Sequence, residues 1–195
     1  MEQLRVHPEW TLLFRRPFGV LMLAQTVLPL AIVIAIFCSP YEYEGIGVIR
    51  GASLSLLLVS LSINLCHVFG LHRKAYLAGG HAVFVPFTLL MFFASLLFML
   101  VFAFSTLLCL ISFFQSLSYS GRLIATYFLL SVLVASLTFV CGRLAVLIYR
   151  VTPNSKIMAL ATVVLDGEKS ARLDVVPGGN SFSPAGGPAS QSPPV

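Results

Sequence analysis

An all-α, integral membrane four-helix bundle with both termini in the cytoplasm is the architecture this sequence predicts. Three observations carry the prediction. Apolar residues make up 58% of the 195-residue chain and charged residues only 10%, against roughly 45–50% and 25% in soluble domains. The mean hydropathy is +0.96. The charges also cluster between four long apolar stretches, with Arg143 alone inside one, near its end. A soluble globule this short could not hide so much apolar surface from water. Composition therefore excludes a soluble single-domain enzyme, disorder for the bulk of the chain and, with four Cys, a disulfide scaffold.

Residues 1–17 read as a cytoplasmic segment. Trp10 and Phe14 lie one helical turn apart beside Arg15 and Arg16, the pattern of an interfacial anchor at an anionic leaflet. The first span, about residues 18–38, is uncharged. It is longer than a signal-peptide core of roughly 7–15 residues, and no small-x-small cleavage site follows it. Within it, Pro29 has no N–H to offer the carbonyl of Gln25, which predicts a kink with Gln25 one turn earlier on the same face.

The second span, about 51–71, places Ser53, Ser60, Asn64 and His67 on one narrow face. Amide and imidazole groups are costly in lipid without partners, so this face should turn into the bundle. The third, about 83–114, is too long for one upright helix and too short for two with a turn. It reads as one tilted helix, with a re-entrant turn near Ser105 and Thr106 as the weak point. Phe87, Phe92, Phe93, Phe98, Phe102 and Phe104 surround it, which suits lipid contact. The fourth, about 123–149, aligns Ser131, Ala135, Thr138 and Gly142, small residues that let helix backbones approach closely. Arg143 lies two turns before Arg150, and its long side chain is expected to snorkel to the cytoplasmic headgroups. Residues 150–195 form the tail. Pro153 stops the helix, residues 157–165 are too short to cross, and the Pro/Gly/Ser/Ala-rich stretch from about 177 reads as disordered.

Orientation follows from the twelve Lys and Arg. Arg5, Arg15, Arg16, Arg73, Lys74, Arg143, Arg150, Lys156, Lys169 and Arg172 fall on one side; Arg50 and Arg122 fall on the other. The positive-inside rule then puts both termini in the cytoplasm. The basic balance, +5 formally, is assigned to orientation, so no nucleic-acid partner is expected.

Chemistry is sparse. No span contains Asp or Glu, although buried ionisable groups usually mark coupled transport and intramembrane catalysis. Metalloprotease, nucleophile-elbow and phosphate-loop patterns are missing. Of His7, His67, His72 and His81, only His67 is well inside a span, so no metal or haem pair is expected. Cys38, Cys66, Cys109 and Cys141 fall one per span; Cys38 and Cys109 share the outer level, where a disulfide is conceivable, while Cys66 and Cys141 lie where palmitoylation is. The expectation is a protein with no catalytic residues, no cofactor and no metal. The outer loops, about 39–50 and 115–122, look too short to offer a large binding surface.

The stretch from Leu13 to Ile36 resembles the opening of a MARVEL domain. Phe14, Pro17, Gly19 and Gln25 occupy places comparable to that family's aromatic residue, Pro/Gly step and early polar residue, and the four-span plan with short loops is similar. The basic residue usual in the first helix is missing here. The resemblance implies membrane apposition, vesicle trafficking or membrane-domain organisation in the plasma membrane or endomembrane vesicles. The reading is a non-enzymatic tetraspan acting through helix packing, with membrane lipids and homo- or hetero-oligomeric membrane proteins as partners. The alternative is a subunit of a small channel or transporter for a neutral polar solute, with Gln25, Asn64 and His67 lining the path.

Overall fold

The computed structural model describes residues 14, 17–69, 76–78, 81–83, 86–152, 163–166, 169–176 and 179–184. The four apolar stretches form four helices: α1 (Phe18–Phe37), α2 (Ile46–Val68), α3 (Phe87–Ser116) and α4 (Gly121–Val151). Each is long and apolar enough to cross a membrane, so by length and composition the chain is an integral membrane protein. Two small antiparallel sheets lie outside the helices. β1 (Tyr76–Ala78) pairs with β2 (His81–Val83), and β3 (Val163–Asp166), β4 (Lys169–Val176) and β5 (Gly179–Pro184) form a meander after α4.

The helices start and stop where local chemistry allows. Gly45 precedes α2 with φ 90°, a left-handed conformation that glycine adopts without a Cβ penalty. Pro86 precedes α3, a position where the missing N–H costs nothing. The sequence reading began the second span at 51, after Arg50; the helix begins five residues earlier, because Arg50 is accommodated at its outer end by Glu42 at 2.8 Å. The third span begins at Phe87 instead of 83, since Val83 belongs to β2. Through Ser105 and Thr106, α3 continues unbroken; both hydroxyls bond back to carbonyls one turn earlier, Val101 and Phe102, at 2.8 Å each. In the tail, β5 continues to Pro184, where composition left the chain unstructured from about 177. β5 pairs antiparallel with β4, which sets Leu173 opposite Phe182.

Buried positions recur at alternating steps of three and four on every helix. On α2 they are Ile46, Ile49, Ser53, Leu56, Ser60, Ile63 and His67; on α4, Tyr127, Leu130, Val134, Leu137, Cys141, Leu144 and Ile148. This is the heptad seam of a left-handed bundle. The facing positions differ in size. α4 contributes large aliphatic side chains, whereas α3 contributes Thr88, Ser95, Ser105, Cys109, Ser112 and Ser116 around Phe102 and Met91. Large groups on α4 fill the space that small ones leave on α3, and this pair makes the most extensive helix contact. α1 packs between α2 and α4, and the α2–α3 seam is the loosest of the four.

Two apolar clusters divide the interior along its length. One, at the loop end, joins Ile32, Ile36, Ile46, Ile49, Leu56, Phe102 and Tyr127. The other, where α1 begins and α4 ends, joins Phe18, Met22, Ile63, Met91, Leu144 and Ile148. The outer surface is covered by large apolar side chains, including Phe93, Leu100, Phe104 and Phe139. Phenylalanines thus do not mark a lipid-facing ring on α3 as the sequence reading had it: Phe102 is 0% exposed and Phe104 61%.

Candidate functional site

A seam of polar side chains crosses the bundle just inside the second cluster. The Gln25 amide donates to Ser95 Oγ at 3.2 Å and to Cys141 Sγ at 3.6 Å, tying α1 to α3 and α4. The Asn64 amide donates to Thr26 Oγ1 at 2.7 Å and to the Met22 carbonyl at 3.3 Å, and Thr26 donates to Ser60 Oγ at 3.1 Å. These bonds tie α2 to α1. His67 Nδ1 lies 2.9 Å from the Ile63 carbonyl. A carbonyl only accepts, so the proton sits on Nδ1. The ring also meets Phe87 edge to face at 6.5 Å.

The residues singled out by sequence fall as follows. Ser53, Ser60, Asn64 and His67 are all buried on α2, and Gln25 and Pro29 are buried on α1. Ser60, Asn64 and Gln25 belong to the seam; Ser53 does not, and its hydroxyl finds no partner. On α4, Ser131 is buried and bonds back to the Tyr127 carbonyl at 2.8 Å, Thr138 meets Thr106 of α3 at 3.5 Å, and a Cβ on Gly142 would stand 3.2 Å from Met99 Sδ. Ala135 departs from the expected packed face: it is exposed, because the α4 seam runs through Val134 and Leu137 and leaves Ala135 on its margin. Arg143 leans back over Phe139, 5.9 Å from the ring centroid, and not forward toward Arg150; the Cα–Cβ bonds of a helix tilt toward its N-terminus. All four cysteines are free. Of the interfacial anchor only Phe14 is described, at 70% exposure; Trp10, Arg15 and Arg16 lie outside the described residues.

The seam leaves little room. A cavity of about 10 Å³ remains beside Gln25, Ser60, Asn64 and Met91, space for one water at most. Around that small cavity the polar groups are satisfied by one another and by backbone. No group of three or more His, Cys, Asp or Glu converges among the described residues.

A second, larger concavity of about 580 Å³ opens at the loop end. Tyr41, Tyr43 and Glu44 come from the α1–α2 loop, Ser118 and Tyr119 from the α3–α4 turn, and Leu108, Ser112 and Gln115 from α3. Its frame is set by Tyr127, 1% exposed, whose phenol donates to the Tyr41 carbonyl at 2.7 Å and accepts from the Tyr43 N–H at 3.3 Å. Tyr43 stands 5.1 Å from Tyr41 at an interplanar angle of 78° and 5.0 Å from Tyr127 at 62°. Desolvation, with Tyr119, Tyr127 and Tyr41 nearby, holds the Tyr43 phenol above its ordinary pKa. The sequence reading dismissed both loops as too short; together, braced on α3, they line one pocket. The available signal was Tyr41-Glu-Tyr-Glu44 facing Ser118-Tyr119.

Comparison with known protein families, with curated proteins and with solved structures gives no match to this chain.

Proposed function

We propose that this chain is a non-enzymatic multi-pass membrane protein that organises membrane domains or vesicle traffic through helix packing and self-association, with both termini cytoplasmic. The observation that supports this reading is the closure of the polar seam. The interior amides and hydroxyls bond one another across four helices, and they leave about 10 Å³. Such an interior locks helices together. The outside supplies large apolar side chains to lipid or to other helices. The trafficking part of the proposal leans on the MARVEL-like opening around Phe14, Pro17, Gly19 and Gln25.

Ala135 provides the test of self-association, because it is small and exposed on α4. Ala135→Ile should shift chemically crosslinked oligomers toward monomer while the Tm in detergent stays at the wild-type value. An unchanged oligomer ladder counts against the proposal. For orientation, a glycosylation acceptor with a spacer in the 39–45 loop should be modified and one near Gly186 should not. A glycosylated tail refutes the arrangement.

A further inference from the structure

The pocket at the loop end has the composition of a cation site that the packing role does not use. Tyr41 and Tyr43 meet at 78°, so their ring planes form two walls of a corner, and Tyr119 comes from the opposite turn. Aromatic faces carry negative quadrupole density and attract weakly hydrated cations. Two carboxylates lie close by in sequence. Glu42 is taken by Arg50 at 2.8 Å. Glu44 lines the pocket and has no ion-pair partner among the described residues. Behind the aromatic corner, Ser112, 3% exposed, lines the pocket. Leu108 and Ile111 of α3 complete an apolar floor. The volume, about 580 Å³, falls in the range of small-molecule sites, roughly 300–1,000 Å³.

We propose that this pocket binds a choline-type group: a quaternary ammonium held by Tyr41, Tyr43, Tyr119 and Glu44, with an adjacent oxygen held by Ser112 and Gln115. A primary ammonium is a poorer fit, since it is strongly hydrated and needs several acceptors. The same chemistry occurs in a free quaternary ammonium compound and in a phosphocholine lipid headgroup; the aliphatic floor at the helix ends fits either.

The test uses the full chain. In maltoside micelles, tetramethylammonium chloride is titrated calorimetrically against equimolar sodium chloride. Saturable binding is expected, weakened about tenfold by Glu44→Gln and about threefold by Tyr119→Leu, the order expected for losing a carboxylate and one aromatic wall. Both side chains sit at the surface, and circular dichroism and Tm should match wild type. In parallel, the protein is reconstituted in equal parts of phosphatidylcholine, phosphatidylethanolamine and phosphatidylglycerol, and retained lipids are read by native mass spectrometry. Saturable binding with phosphatidylcholine enriched supports the proposal and assigns the lipid headgroup. Saturable binding without enrichment supports it and assigns a free cation. No saturable binding of tetramethylammonium, or equal binding by wild type and both variants, overturns it.

Discussion

Hydroxyl groups do different things in the two halves of this bundle. In the half that begins α1 and ends α4, Thr26, Ser60 and Ser95 bond amides and hydroxyls on other helices. In the loop half, Ser105 and Ser116 bond back to carbonyls of their own helix at 2.8 and 2.7 Å, and Ser53 bonds nothing. There the serines act as spacers that let α4 come close, and Tyr127, the only fully buried phenol among the described residues, ties the helices to the loop above. One half is therefore held in register by directional bonds, the other by shape. In lipid this division matters, because apolar burial between helices brings no hydrophobic gain and only packing and hydrogen bonds remain.

Substitutions can break or sharpen that contrast, and two cysteines, both 0% exposed, report on it by maleimide labelling once Cys38 and Cys66 are replaced: Cys109 in the loop half, and Cys141 at the polar seam, where the Gln25 amide bonds it. The largest effect is expected from Tyr127→Ala, which empties a core position and frees the 41–43 loop. The loss should be about 3–5 kcal/mol, seen as a lower Tm and faster labelling of Cys109 than of Cys141. Equal labelling of both would show that the halves open as one unit. Next, Gly142→Ile drives a branched side chain toward Met99, only 3.2 Å from the first added carbon. It should cost about 1–3 kcal/mol, measured by thermal denaturation in detergent. Asn64→Leu removes two interhelical bonds, each worth about 0.6 kcal/mol in a membrane bundle; Cys141 labelling should rise while Cys109 stays protected. Smallest is Ser53→Ala, which deletes an unpartnered hydroxyl. The Tm should hold or rise slightly, by no more than about 0.5 kcal/mol in stability, and a marked fall would reveal a partner for that group.

How much of this was legible in the sequence follows from the same physics. Inward burial of Ser53, Ser60, Asn64 and His67 could be read because polar groups in a membrane have one favourable place to go. The partner of Asn64 could not: Thr26 is 38 residues away, and a threonine in an apolar run carries no mark of its use. Apolar residues were the weakest guide, since lipid and protein interior treat them alike. That is why Phe102 and Phe104 look equivalent in sequence and lie on opposite sides of α3, and why Ala135 is exposed although it shares a face with Ser131. The informative pattern on α3 was the three-and-four spacing of Ser105, Cys109, Ser112 and Ser116, not its aromatic content. The loop-end pocket was hidden for a different reason. It is a property of two loops meeting, and each alone is too short to suggest it.

The unequal lengths of the helices carry one more consequence. α1 and α2 have 20 and 23 residues, α3 and α4 have 30 and 31. At about 1.5 Å per residue the first pair spans about 30–35 Å and the second about 45 Å, against a hydrocarbon core of about 30 Å. The short pair matches an ordinary bilayer. The long pair fits only by tilting, by standing out into the headgroups, or by stretching the lipid around it, each at a modest cost per ångström. The molecule therefore presents two hydrophobic thicknesses on opposite flanks. A bilayer a few ångströms thicker would lessen the mismatch along the α3–α4 flank while enlarging it along α1 and α2.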